Sequence, residues 1–106
     1  MKTAHVLQAP IRNMYSRTEL LLNNKLDRKA GLRDNLKDAK TVTEYLQKGA
    51  PLDGDYLHML ISSLTISFAL SVEQMNKKGP VMVRVTDFEQ IMTYLMPNGV
   101  PEGPTN

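Results

Sequence analysis

Apolar residues between about Asn13 and Lys48 recur at every third or fourth position, which predicts helix over this stretch. The clearest set shares one helical face and comprises Leu32, Leu36, Ala39, Val42 and Leu46. Leu22 and Leu26 share a face rotated from it by roughly a quarter-turn. Gly31 lies between the two sets, and glycine inside a helix costs about 1 kcal/mol relative to alanine. We therefore predict one long helix with a kink at Gly31; two helices meeting there are the alternative.

A tight turn is predicted after this long helix. Glycine and proline in Gly49-Ala50-Pro51 stop a helix, and the carboxylates of Leu52-Asp53-Gly54-Asp55 suit the start of the next one. So short a connection makes the two helices antiparallel neighbours.

The second predicted helix, from about Asp53 to Lys77, carries apolar residues on two sides. The broader stripe comprises Leu57, Leu60, Ile61, Leu64, Phe68, Val72 and Met75, and the opposite one Met59, Ile66 and Leu70. Ser63, Ser67 and Ser71 form a ridge of small residues between them, which allows another backbone to approach closely. A helix with two apolar faces must be covered on both. We therefore predict a protein interface, formed with a second copy, at Met59, Ser63, Ile66, Ser67 and Leu70.

Strand and helix signals follow in the C-terminal third. Val81–Val85 alternates and predicts a short strand, whose partner is either Thr3–Leu7 or a second chain. Thr86 with Glu89 forms a capping box ahead of a short helix that runs to about Met96. The predicted fold is therefore mainly α: a helical hairpin with a kinked first helix, a second apolar helix, one strand and a short C-terminal helix. Residues 1–96 form one domain, and residues 97–106 form a Pro- and Gly-rich flexible tail.

Composition and charge narrow the function classes. The 106 residues include no cysteine, which excludes disulfides, thiolate chemistry and zinc fingers. The net charge of +2 conceals an asymmetry: residues 1–48 hold ten Lys and Arg against five Asp and Glu, and residues 49–106 hold three against six. Four cations at helical spacing form a basic stripe, which consists of Lys29, Arg33, Lys37 and Lys40. Such a stripe could follow phosphates, or it could be a solvated helix face.

Catalytic chemistry has few candidate residues. His58 follows Asp53 and Asp55, which could orient an imidazole, but a histidine beside a helix start is more often structural. Asp53-Gly54-Asp55 begins like a calcium loop, yet Leu57 and Met59 occupy later ligand positions. Phosphate-binding glycine loops and nucleophile motifs are absent from the sequence. We therefore expect a protein that is not an enzyme and that takes no cofactor and no metal.

The location is predicted to be cytoplasmic. The first ten residues lack the apolar run of a signal peptide. Tyr56–Val72 carries no charge, but its six polar residues favour a protein core over lipid, so no membrane partner is expected.

The stretch Tyr45–Leu52, followed by Tyr56-Leu57, resembles a helical hairpin turn common in small bacterial and phage proteins. The general character is similar to accessory proteins of phages and mobile elements. Our leading prediction is a non-enzymatic interaction protein that forms a homo-oligomer, most simply a dimer, and acts on a larger protein partner. The alternative is a nucleic-acid-binding module that uses the basic stripe.

Overall fold

A computed structural model describes residues 2–78 and 85–96, which form four helices. They are α1 (His5–Leu22), α2 (Arg28–Gln47), α3 (Gly54–Lys78) and α4 (Val85–Leu95). The predicted mainly helical class is confirmed.

The first three helices run up, down and up as a bundle. Arg17 of α1 reaches Asn35 and Asp38 near the middle of α2, and Leu21 approaches Gly31 near its start, so α1 and α2 are antiparallel. The contacts of Arg12 with Tyr56 and of Thr18 with Ser67 show that α1 and α3 are parallel. Helix α4 packs against α2 and α3. The predicted antiparallel pairing of the hairpin helices, now α2 and α3, is confirmed.

All four helices contribute to one apolar core. Its buried members are Leu7, Ile11, Met14, Leu21, Leu32, Leu36, Ala39, Val42, Leu60, Leu64, Leu70, Phe88 and Ile91. The predicted apolar face of α2 is confirmed, with Leu46 partly buried beside it.

The predicted kink at Gly31 is wrong, because the helix ends earlier, at Leu22, and a turn separates it from the next helix, which begins at Arg28. Asn24 adopts a left-handed φ of 57°, and the amides of Asn24 and Lys25 donate to the carbonyl oxygens of Leu21 and Leu20. This pattern is a Schellman motif, in which an asparagine takes the position more often held by glycine. The Asp27 carboxylate then accepts a hydrogen bond from the Ala30 amide at 2.9 Å and caps α2.

The second turn follows the sequence prediction closely. Gly49 has a φ of 89°, and the amides of Gly49 and Ala50 donate to the carbonyl oxygens of Leu46 and Tyr45. The left-handed conformation requires glycine or asparagine, and here it ends α2 in a second Schellman motif. The Asp53 carboxylate accepts from the Asp55 amide at 2.9 Å, as expected for a cap of α3.

The predicted strand Thr3–Leu7 is wrong, because α1 already begins at His5. Thr3 is buried, and its hydroxyl accepts a hydrogen bond from the Asp53 amide. The Ala4 amide donates to the Pro51 carbonyl oxygen. These two bonds tie the segment before α1 to the turn between α2 and α3. Pro10 lies inside α1, and the sequence prediction began the helix only beyond it.

Within residues 2–78 and 85–96 the structure contains no strand. The proposed strand Val81–Val85 falls mostly on residues 81–84, which lie outside the described residues, and Val85 belongs to α4. Thr86 lies inside the helix, so its predicted role as the cap is wrong. Helix α4 ends at Leu95, within one residue of the prediction, and the proposed tail 97–106 also lies outside the described residues.

Gly31 of α2 lies against Leu21 of α1 and against Leu26, and this contact explains the glycine. A Cβ atom there would lie 2.6 Å from Leu21 Cδ2 and 3.1 Å from Leu26 Cδ2. Leu21 is fully buried, so its side chain yields only by repacking within the core, and Leu26 packs against the same core. The glycine therefore permits helix packing and does not bend the helix.

Replacing Gly31 with alanine should lower the free energy of unfolding by about 1 kcal/mol. Overpacking a core costs about 1–3 kcal/mol, whereas alanine gains about 1 kcal/mol in helix propensity, so the steric cost prevails. Urea titration measures the change. The matched control is Gly54→Ala, where a Cβ meets nothing within 4 Å and stability should stay equal or rise. A gain in stability for Gly31→Ala would show that α1 moves aside freely.

Candidate functional site

Three of the five predicted interface residues lie inside the folded chain. Leu70 is 8% exposed and belongs to the core, and Ser63 and Ser67 are also buried. Met59 and Ile66 are partly buried against the core. Other helices of the same chain therefore bury Leu70, Ser63 and Ser67, whereas Met59 and Ile66 keep part of their surface exposed. The interface at these five residues stays a prediction.

A polar network accounts for the buried Ser67 of α3. The amide nitrogen of Asn35 donates to Thr18 Oγ1 at 3.0 Å and to Ser67 Oγ at 2.6 Å. Arg17 Nη1 donates to Asn35 Oδ1 at 2.8 Å and to Asp38 Oδ2 at 2.9 Å. These five side chains, which we call the polar network, join α1, α2 and α3. Asn35 was not predicted as a functional or structural residue, although a polar residue on the apolar face of a helix indicates a buried hydrogen bond.

A groove between α1 and α3 remains open to solvent. Its lining consists of Tyr15, Thr18, Glu19, Leu22, Ser62, Ser63 and Ile66, and its volume is about 280 Å³. Tyr15 is 37% exposed and Leu22 is 50% exposed. The Ser63 hydroxyl is buried and has no hydrogen-bond partner among the described residues. This surface, which we call the α1–α3 groove, therefore combines apolar walls with an unsatisfied polar atom at its floor.

Opposite charges flank this groove along α1. Arg12 and Glu19 are exposed, and seven residues apart they lie on one helical face. The Arg12 guanidinium lies over the Tyr56 ring, 5.9 Å from its centroid, and its Nε donates to the Tyr56 hydroxyl at 3.1 Å. Within the described residues neither Arg12 nor Glu19 forms an ion pair. One face of α1 thus presents a cation held by the Tyr56 ring of α3 and, about two turns further on, a carboxylate, neither of which forms an ion pair among the described residues.

The basic stripe is exposed as the sequence predicts. Lys29, Arg33, Lys37 and Lys40 are all exposed on α2. In the part of the chain that the structure describes, none of the four side chains forms an ion pair or a hydrogen bond. Asp38 of the same helix forms an ion pair with Arg17 of α1.

Comparison with protein-family models, with curated proteins and with solved structures gives no match. Function is therefore inferred from the residues and from their geometry alone.

The candidate catalytic and metal-binding residues are not brought together. His58 is exposed, and the Asp53 carboxylate caps α3. Among the described residues no group of three His, Asp or Glu side chains could hold a metal ion.

Helix α3 is long and apolar enough to cross a membrane by length and composition, over Gly54–Lys77. In this fold α1, α2 and α4 all contact it, Ser67 joins the polar network, and 33% of the apolar window is buried. Among the α3 residues of described burial, the exposed ones are small or polar except for Met75, and they are Gly54, Asp55, His58, Thr65, Ala69, Met75, Asn76 and Lys77.

Proposed function

We propose that the protein is a small non-enzymatic interaction protein that works as a homodimer joined through α1. The arrangement of Arg12 and Glu19 carries this proposal, because both are exposed on one face and neither forms an ion pair within the described residues. A surface with separate positive and negative ends complements its own copy when the copy is turned around.

A two-fold axis at the midpoint between these residues, next to Tyr15 and Ser16, would pair them in both directions. Arg12 of one copy then meets Glu19 of the second, and Glu19 meets Arg12. The two residues are about 10 Å apart along the helix axis, at a rise of 1.5 Å per residue. Each ion pair forms twice, which is the signature of an interface built from one surface patch.

Apolar contacts would come from the α1–α3 groove. Tyr15 lies beside the proposed axis, and a tyrosine offers an apolar ring together with a hydroxyl. The Tyr15 ring of the second copy suits the apolar walls of the groove. Ser63 and Ile66, two of the residues predicted for the interface, would thereby contribute to it from the groove.

The dimer is proposed to act on a larger protein, in the manner of an accessory factor of a phage or mobile element. The cytoplasmic location remains a prediction of the sequence.

Charge reversal tests the dimer directly. Arg12→Glu or Glu19→Arg alone replaces two attractive contacts by two repulsive ones, so each should weaken the dimer about tenfold or more. The double variant Arg12→Glu, Glu19→Arg restores both pairs and should restore dimerisation. Sedimentation equilibrium over the micromolar range measures all four proteins. A wild-type chain that stays monomeric throughout would refute the proposal.

A matched pair of leucines tests the groove. Leu22 lines the α1–α3 groove, so the variant Leu22→Lys should weaken the dimer, because it would bring a charge into the apolar contact. Leu20 is also exposed on α1 but does not line the groove, so Leu20→Lys should leave the dimer intact. Equal effects of the two variants would place the interface elsewhere.

A further inference from the structure

The basic stripe has a regular geometry along α2. Its four residues are spaced by four, four and three positions, which places them within one arc of the helix surface. From Lys29 to Lys40 the stripe extends about 17 Å along the axis at a rise of 1.5 Å per residue. Successive residues of the stripe are thus about 4.5–6 Å apart along the helix axis.

Neighbouring carboxylates leave most of this charge uncompensated. Asp27 is engaged with the Ala30 amide at the start of α2, and Asp38 is engaged with Arg17. Asp34 lies on the flank of the helix, and Glu44 follows Lys40 by one turn. Asp87 of α4 lies near this side of the bundle, since it lines a depression together with Lys40 and Glu44. The positive field is therefore strongest from Lys29 to Lys37.

The composition of the stripe distinguishes between classes of partner. Protein interfaces are centred on aromatic or aliphatic anchors, and none of the large exposed hydrophobic residues among the described positions belongs to the stripe. The exposed aromatic of α2 is Tyr45, and its ring is paired with the Lys48 ammonium at 5.8 Å. Single-strand binders interleave cations with aromatic rings that stack on bases, which this surface lacks. A row of cations alone suits a phosphate backbone.

We propose that the basic stripe of α2 binds the phosphate backbone of double-stranded nucleic acid without reading its sequence. The contacts come from Lys29, Arg33, Lys37 and Lys40. None of these residues lines the α1–α3 groove, so this activity does not depend on the proposed dimer.

Salt dependence tests the number of phosphate contacts. Binding of the full chain to a short fluorescent DNA duplex of mixed sequence is measured by anisotropy over a series of salt concentrations. Four contacts give a slope of log K against log salt of about −3.6, since each neutralised phosphate contributes about −0.9. Lys37→Ala should reduce the slope by about 1. A slope near zero, or no binding at low salt, overturns the proposal.

Charge reversal with a matched control distinguishes binding by the basic stripe from an effect of the protein's net charge. Arg33→Glu with Lys37→Glu should abolish binding at low salt. Lys25→Glu with Lys48→Glu changes the net charge equally at exposed positions outside the stripe and should bind far better. Glu44→Gln should tighten binding, because it removes a carboxylate next to Lys40. Equal loss in both double variants would overturn the proposal, and circular dichroism confirms that each variant is folded.

Competition identifies the class of partner. Unlabelled duplex should displace the probe more effectively than single-stranded DNA or polyglutamate at equal charge. More effective displacement by polyglutamate would indicate an acidic protein partner. More effective displacement by single-stranded DNA would indicate a different nucleic-acid partner. Either result overturns the proposal. The variant Leu22→Lys should retain the affinity per chain, so failure of the dimer and failure of nucleic-acid binding remain distinguishable.

Discussion

Replacing Asn35 with alanine is expected to lower the free energy of unfolding by about 3 kcal/mol, the sum of lost bonds to two hydroxyls and to one guanidinium. Asn35 is 1% exposed, so water cannot take the place of the lost bonds without entering the core. Urea titration measures the change. Asn13→Ala is the matched control, because Asn13 is an exposed asparagine on α1 and should alter stability by less than about 0.5 kcal/mol.

A double-mutant cycle would show that the polar network acts as a unit. Thr18→Val and Ser67→Ala each remove one hydroxyl partner of Asn35. If the bonds cooperate, combining either change with Asn35→Ala costs less than the sum of the single changes. Additive losses would mean that Asn35 stabilises the bundle by packing alone.

Replacing Phe88 with alanine is expected to release α4 from the bundle. Phe88 is 2% exposed, and its ring meets Phe68 edge-to-face with centroids 5.8 Å apart. Truncating a buried phenylalanine costs about 3–5 kcal/mol. Because α4 is short and Ile91 is the other buried apolar residue among those of α4 whose burial is described, we expect local detachment before global unfolding.

Hydrogen exchange distinguishes local release from global destabilisation. In Phe88→Ala the amides of α4 should lose protection by more than about tenfold, while those near Asn35 keep most of theirs. Tyr94→Ala is the control on the same helix, since Tyr94 is exposed and its loss should change little. Equal loss of protection in all helices would show that α4 and the three-helix bundle unfold together.

Local signals in the sequence identified the turn between α2 and α3. Gly49 and Asp53 are residue types whose conformational and capping preferences are strong, and both act as predicted. The earlier turn was missed because Asn23-Asn24 contains neither glycine nor proline, although asparagine tolerates the left-handed conformation of Asn24. Gly31 was misread because a glycine at a helix contact and a glycine at a kink look alike in sequence.

The burial of Leu70 inside the chain was not predicted, because the first helix was predicted wrongly. One long helix over residues 13–48 leaves few elements to cover α3, so Met59, Ile66 and Leu70 were predicted to need a second copy. With α1 and α2 separate, three helices of the same chain contact α3. The exposed basic stripe could be predicted, because its helical spacing does not depend on where the helix begins. The position of Arg12 and Glu19 on one exposed face could not be predicted, since the predicted helix began only after Arg12.

The geometry of the polar network restricts how the helices can slide past one another. A slip of one helix by a single turn moves its side chains by about 5.4 Å, which exceeds the length of a hydrogen bond. All contacts of Asn35 with Thr18 and Ser67 would then break together. The network thereby selects one register among several that the leucine-rich faces alone would tolerate. In the proposed dimer, this single register would fix the distance between the two basic stripes, and so the spacing of the phosphates that one dimer can bridge.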